Sequence, residues 1–235
     1  MAGWFPDGFD AERQKVDAAS DRALYKYLRV HILGPYVNDC HPFLSEIKHR
    51  LRDDGFTRAK LCTDRDETPP ARLQGDDLSK EEEQELSEFW TEVSYRFLQN
   101  ADVAIFFFLD PTIGRSTLPT RAFRDKEDPE TNHLHGQAIY DTPQDANGSV
   151  VEELNYWLRE MDMGSSRTMV LFEKTNYDQT GSLVKGRVGL QRCHWDTFEV
   201  NAVDAVHRKI RSRSMNWAMK DCKPRLQDQY YDDRF

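Results

Sequence analysis

Apolar and polar residues alternate along the chain in blocks that read as strands and helices in turn. Leu28 to Leu33 is a short β-rich run that stops at Gly34-Pro35. Phe43, Leu44, Ile47 and Leu51 recur at helical spacing within Pro42 to Asp53, and Gly55 follows as a helix stop. Ala59 to Cys62 fits a second strand. Thr63 to Asp77, with Pro69-Pro70, reads as a loop. Ser79 to Asn100 predicts a long helix, with Ser79 and Glu82 spaced as a capping box and an acidic first turn that suits the helix dipole. Its expected apolar face carries Leu86, Phe89, Trp90, Val93 and Phe97.

Val103 to Leu109 (VAIFFFL) is the most hydrophobic run and is continuous rather than alternating. Such a run suits a central parallel strand covered on both faces. Ser149 to Met161 predicts a helix, Arg167 to Phe172 a fourth strand and Ser182 to Arg192 a short helix. Thr197 to Val200 predicts a fifth strand and Ala202 to Asp221 a closing helix. Five β-α units in succession predict a flavodoxin-like, doubly wound, five-stranded parallel sheet in the order 2-1-3-4-5, with helices on both faces. The expected organisation is an N-terminal extension over 1–27, one α/β domain over 28–221 and a tail over 222–235. An insert over 111–147 interrupts the domain. That insert greatly exceeds the roughly 12–15 residues of an ordinary loop. It follows the central strand, at the sheet edge where such folds bind ligands, and predicts a lid over that edge.

The chain has 235 residues, 38% of them hydrophobic and 31% charged, enough apolar material for a core under a well-solvated surface. Its net charge of -9 argues against nucleic-acid binding and adsorption to anionic membranes, both of which need basic surface. No segment approaches the ~20 apolar residues of a membrane span, and Met1 to Asp10 lacks the apolar stretch of a signal peptide. A cytoplasmic protein is expected. The four cysteines are widely spaced and form no CxxC pair, so they read as buried or idle thiols. The acidic, aromatic tail from Asp228 could dock on a neighbouring subunit of a homo-oligomer.

Three places should converge on the carboxyl edge of the sheet. Gly34-Pro35-Tyr36 offers close backbone approach and an aromatic ring, or is simply a tight turn. Asp110 ends the central strand and points into the crevice, or caps a turn. Asn147-Gly148-Ser149 opens a helix bearing Glu152 and Glu153. Ser149 and Glu152 are spaced as a capping box, which accounts for Glu152 structurally and leaves Glu153 unexplained. Two carboxylates and an aromatic ring suit N-glycosidic chemistry. One carboxylate attacks or stabilises the developing oxocarbenium carbon while the other holds the sugar hydroxyls. His133-x-His135 and Cys193-His194 are too dispersed for a zinc site, and no GxGxxG, Walker A or GxSxG motif occurs. Neither a metal nor a cofactor is expected.

Three segments together resemble nucleoside 2-deoxyribosyltransferases. They are Ile32-Leu33-Gly34-Pro35-Tyr36, then Ala101-Asp102-Val103-Ala104 leading to Leu109-Asp110, then Gly148-Ser149 with Glu152-Glu153-Leu154-Asn155-Tyr156. The resemblance spans roughly Arg29 to Phe172. It implies Glu153 as the glutamate nucleophile and Asp110 as the sugar-binding aspartate, with Gly34, Pro35, Tyr36, Asn147, Gly148 and Ser149 around a nucleoside or nucleotide substrate. Asn155 stands where that family usually has Gly, Trp157 where it has a small residue, and the long insert is not typical of it. The chain also resembles a group of uncharacterised archaeal proteins with the same framework. TIR domains share the fold and also use a glutamate, on NAD. The alternative to an enzyme is a non-catalytic nucleotide-binding or sensor module, because one fold hosts both.

Overall fold

A computed structural model describes residues 24–37, 39–64, 67–75, 78–115, 117–122, 147–160, 165–178, 180, 182–190 and 193–224. Five strands, β1 (Val30–Leu33), β2 (Lys60–Leu61), β3 (Val103–Phe108), β4 (Thr168–Glu173) and β5 (His194–Phe198), form one sheet. Its order is β2-β1-β3-β4-β5 and every pairing is parallel. The expected topology holds, with VAIFFF at its centre. All six β3 residues are buried, because hydrogen-bonded neighbours flank the strand and helices cover both its faces.

The period-two alternation of β3 splits the core in two. Val103, Ile105 and Phe107 face α1 (Cys40–Asp53) and α6 (Val203–Trp217), meeting Phe43, Leu44, Ile47, Val206 and Ile210. Ala104, Phe106 and Phe108 face α2 (Lys80–Gln99) and α3 (Gly148–Glu160), meeting Phe97, Leu98, Leu154 and Trp157. Two short helices, α4 (Lys174–Tyr177) and α5 (Ser182–Leu190), connect β4 to β5. The core also takes in Leu24 and Tyr25, whose ring stacks on Phe56 at 4.6 Å. Among the described residues, no helix is long and apolar enough to cross a membrane.

Local signals set several boundaries as expected. Gly55 sits at φ 106°, a left-handed conformation that favours glycine. Its N–H reaches the Arg52 carbonyl at 2.9 Å and the Phe56 N–H the Leu51 carbonyl at 3.0 Å, the paired bonds of a Schellman stop. Ser79 caps α2 in the expected box with Glu82, the Ser79 N–H donating to the Glu82 carboxylate at 2.9 Å.

Three expectations are corrected. The last strand starts at His194 instead of Thr197. Its first two residues are exposed on a sheet edge, so no apolar run marks it. Helix α3 starts at Gly148, which places Ser149 inside the helix and removes the Ser149–Glu152 capping box. Asn147 precedes the first helical residue, and its carbonyl accepts from the Val151 N–H at 3.1 Å. Only the last part of the α2 face is fully buried, through Val93, Phe97 and Leu98; Leu86, Phe89 and Trp90 are half-buried. A 20-residue helix is about 30 Å long, whereas a 6-residue strand spans about 20 Å, so α2 overhangs the sheet.

Candidate functional site

The carboxyl ends of β1, β3 and β4 gather most of the residues singled out from the sequence. Gly34, just past β1, is a packing glycine. A Cβ there would meet Leu44 Cδ1 at 2.9 Å and Phe107 Cβ at 3.2 Å, so its bare Cα lets β1 close onto α1 and β3. Pro35 is buried and Tyr36 half-buried. The Tyr36 hydroxyl donates to the Ile32 carbonyl at 2.7 Å and accepts from the Cys62 N–H at 3.0 Å. It joins the ends of β1 and β2, which leaves the ring and not the hydroxyl as its contribution to a ligand.

Asp110 is 6% exposed at the end of the central strand. Its Oδ1 accepts from the Thr112 N–H at 2.9 Å and from the Thr112 hydroxyl at 2.6 Å, a local turn cap. Its own N–H donates to Glu173 Oε2 at 2.8 Å. Leu109, one residue earlier, is clasped by the Asn147 side chain. The Leu109 N–H donates to Asn147 Oδ1 at 3.2 Å, and the Leu109 carbonyl accepts from Asn147 Nδ2 at 2.8 Å. Asn147 thus pairs with the backbone as a strand neighbour would and pins the start of α3 to the end of β3. Gly148 and Ser149 are exposed beside it.

Glu152 and Glu153 are separated by burial. Glu152 is exposed; Glu153 is 6% exposed and turned inward with Val150, Leu154 and Trp157. Adjacent helical residues point about 100° apart, so one of the two faces in and the other out. Tyr95 of α2 stacks on Tyr156 at 3.8 Å beside this face. Burial raises the Tyr95 phenol above its ordinary range, and the nearby charges of Glu152 and Glu153 add to the rise. Trp157 is fully buried, and its indole N–H donates to the Thr168 hydroxyl at 2.8 Å. Trp157, one of the residues that depart from the deoxyribosyltransferase pattern, is therefore a core residue.

Sequence reading missed the most buried charges of the edge, Arg115 and Glu173. Both side chains are 0% exposed, and the guanidinium reaches the two carboxylate oxygens at 2.7 and 2.8 Å. Arg115 Nη2 also donates to the Asp110 carbonyl at 3.3 Å, and its backbone N–H to Asp39 Oδ2 at 2.9 Å. The Phe43 ring lies 5.2 Å from the guanidinium. Burial pushes the neighbouring Cys40 thiol up to about 12, so it is a protonated spectator. Glu173 could have been found by the logic that picked Asp110, a carboxylate closing an apolar strand (TMVLFE). Arg115 carried no such signal.

The insert enters along α1. Leu118 and Ala122 are buried in the core, and Arg121 binds Glu46 at 2.8 and 2.9 Å and Asp53 at 2.8 Å. Of the insert 111–147 expected as a lid, residue 116 and residues 123–146, with His133-x-His135, lie outside the described residues. Among the described residues no group of side chains is arranged to hold a metal ion.

Chemically, the edge presents carboxylates. Arg115, a cation buried among them, is spent on Glu173, so sugar hydroxyls suit the described part of this edge better than phosphates do. The order 2-1-3-4-5 defines a flavodoxin-like parallel α/β fold with its switch point between β1 and β3, and in folds of this class ligands bind at the carboxyl edge beside that point. Compared with protein families, curated proteins and solved structures, the chain matches none of them.

Proposed function

We propose that this chain cleaves or transfers at the N-glycosidic bond of a nucleoside, nucleotide or NAD, with Glu153 as nucleophile or charge stabiliser and Asp110 holding the sugar hydroxyls. The observation that carries this reading is the burial of Glu153 at 6% exposure on a helix whose preceding residue, Asn147, is fastened to Leu109 at the strand end bearing Asp110. Helical side chains tilt toward the helix N-terminus, so Glu153 leans toward that strand end. As the bond to the base breaks, positive charge develops at the sugar carbon. A carboxylate in a site of low dielectric attacks that carbon or stabilises its charge, and water or an acceptor then completes hydrolysis or transfer. The half-buried Tyr36 ring and exposed Gly148-Ser149 frame the opening.

The test is incubation of the full chain with a panel of nucleosides, nucleoside monophosphates and NAD, reading free base by chromatography. Wild-type protein is expected to release base from at least one of them, and Glu153→Gln to lose that activity by on the order of 100-fold or more, while Glu152→Gln keeps it. Loss in Glu152→Gln alone would overturn the assignment of the nucleophile.

A second reading, a nucleotide-binding module without chemistry, has its own support. The Asp110 carboxylate is already engaged by Thr112, and the neighbouring Arg115 and Glu173 are engaged with each other. Tight nucleotide binding with no base released from any member of the panel would favour it.

A further inference from the structure

The opposite end of the sheet holds a groove of about 610 Å³, between the amino ends of β1 and β2 and the last turn of α2. Four cations line it, Arg29, Arg58, Lys60 and Arg96, with the carboxylates Asp64 and Glu67. Arg29 is neutralised by Asp102, whose carboxylate accepts from its Nη2 at 2.8 Å and its Nε at 3.3 Å. Asp64 is neutralised from behind by Lys48 at 2.7 Å, with Arg52 at 3.6 Å. Arg58, Lys60 and Arg96 form no ion pair with any described carboxylate. Among the described residues that line the groove only Glu67 stands against them, an excess of about two positive charges in a chain of net charge -9. The carboxyl end of α2 contributes roughly half a negative charge to the same wall, too little to cancel that excess.

His31 supplies a second, independent sign of a ligand. It is 4% exposed, lines the groove and stacks on Phe97 at 3.9 Å. Its Nδ1 is buried without a hydrogen-bond partner. A buried ring nitrogen left unsatisfied costs about 1–3 kcal/mol and calls for a partner.

We propose that this groove binds a phosphate dianion, free or as the ester of a small molecule, through Arg58, Lys60 and Arg96, with the His31 ring lining the groove beside them. Two net positive charges match a dianion, and guanidinium groups offer the planar paired donors that phosphate oxygens accept. The groove volume exceeds that of a bare phosphate and admits an organic group on the ester. The groove lies at the other end of the sheet from Asp110 and Glu153, so its occupancy is independent of any chemistry there.

The test is titration calorimetry of the full chain at low ionic strength with inorganic phosphate, glucose 6-phosphate and uncharged glucose; the glucose arm reports any binding of the sugar itself, at the carboxyl edge or elsewhere. Both phosphate compounds are expected to bind, glucose not at all, and the histidine-selective NMR signals of His31 to move during the titration. A tighter ester identifies the ligand as an ester, and equal affinities identify free phosphate. Lys60→Gln with Arg96→Gln removes two exposed charges without disturbing the core, and should weaken binding by about ten-fold per charge. Glu153→Gln protein should bind phosphate as wild type does. Absence of saturable binding of either phosphate compound up to about 10 mM, or affinity unchanged in the double variant, would overturn the proposal.

Discussion

Arg115 and Glu173 show how a single contact decides the character of the carboxyl edge. Two charges at 0% exposure are costly to bury, and the bidentate pairing at 2.7 and 2.8 Å offsets that cost only while both are present. Glu173→Leu should therefore destabilise the protein by roughly 3–5 kcal/mol, by stranding the guanidinium. The double variant Arg115→Met with Glu173→Leu should recover most of that loss, as urea denaturation midpoints would reveal. Equal loss in the single and double variants would mean that the pair is not the source of the effect. Gly34 makes a separate demand, on volume. Gly34→Ala places a methyl 2.9 Å from Leu44 Cδ1 and 3.2 Å from Phe107 Cβ in a filled core. Such overpacking should cost about 1–3 kcal/mol by the same measurement. At this scale the sequence named Asp110 and Glu153 through residue type and position. It could not say that the Tyr36 hydroxyl is committed to Ile32 and Cys62, because those partners meet only when β1 and β2 pair.

Helix α3 is positioned less by its own sequence than by the residue before it. Asn147 takes both backbone groups of Leu109, and Asn176 adds a bond to the same carbonyl at 3.2 Å. Asn147→Ala would leave the buried Leu109 N–H without its acceptor, and should destabilise the protein by about 1–3 kcal/mol. Asn147→Asp keeps that acceptor and should recover part of the loss. If Asn147→Ala leaves stability unchanged, α3 is held by its apolar face alone. The elements themselves were largely legible, because capping chemistry is local: the Ser79–Glu82 box and the Gly55 stop are read from neighbours in sequence. The start of α3 was misread for the complementary reason. Ser149 has the right spacing from Glu152, but the helix begins where Asn147 meets Leu109, 38 residues away in the chain. His194 and Trp195 open β5 with exposed side chains, so its start follows from pairing with Met169 and Val170 and not from hydropathy.

Across the whole molecule, stability should depend on acidity through His31. Burial pushes it from 6.5 down to about 4, with Arg29 and Lys60 lowering it further against the pull of the Phe97 backbone. Because the folded value is depressed, the unfolded chain binds the proton more readily. The contribution is fully present above pH 6.5 and is lost as pH falls toward 4, by up to about 3 kcal/mol for a shift of this size. His31→Gln should flatten that part of the stability profile measured by denaturation from pH 7.5 to 4.5; an unchanged slope would refute the assignment. The sequence by itself determined the order of strands and helices, the central place of VAIFFF and the sheet order, since periodicity, breakers and crossover handedness are properties of local chain and chirality. Tertiary structure alone decided that Arg115 pairs with Glu173, that Glu153 and not Glu152 turns inward, and that Arg58, Lys60 and Arg96 line one groove with His31. Each of these depends on which distant segments the fold brings together, and burial and charge neutralisation are fixed by those neighbours in space, whatever their distance along the chain.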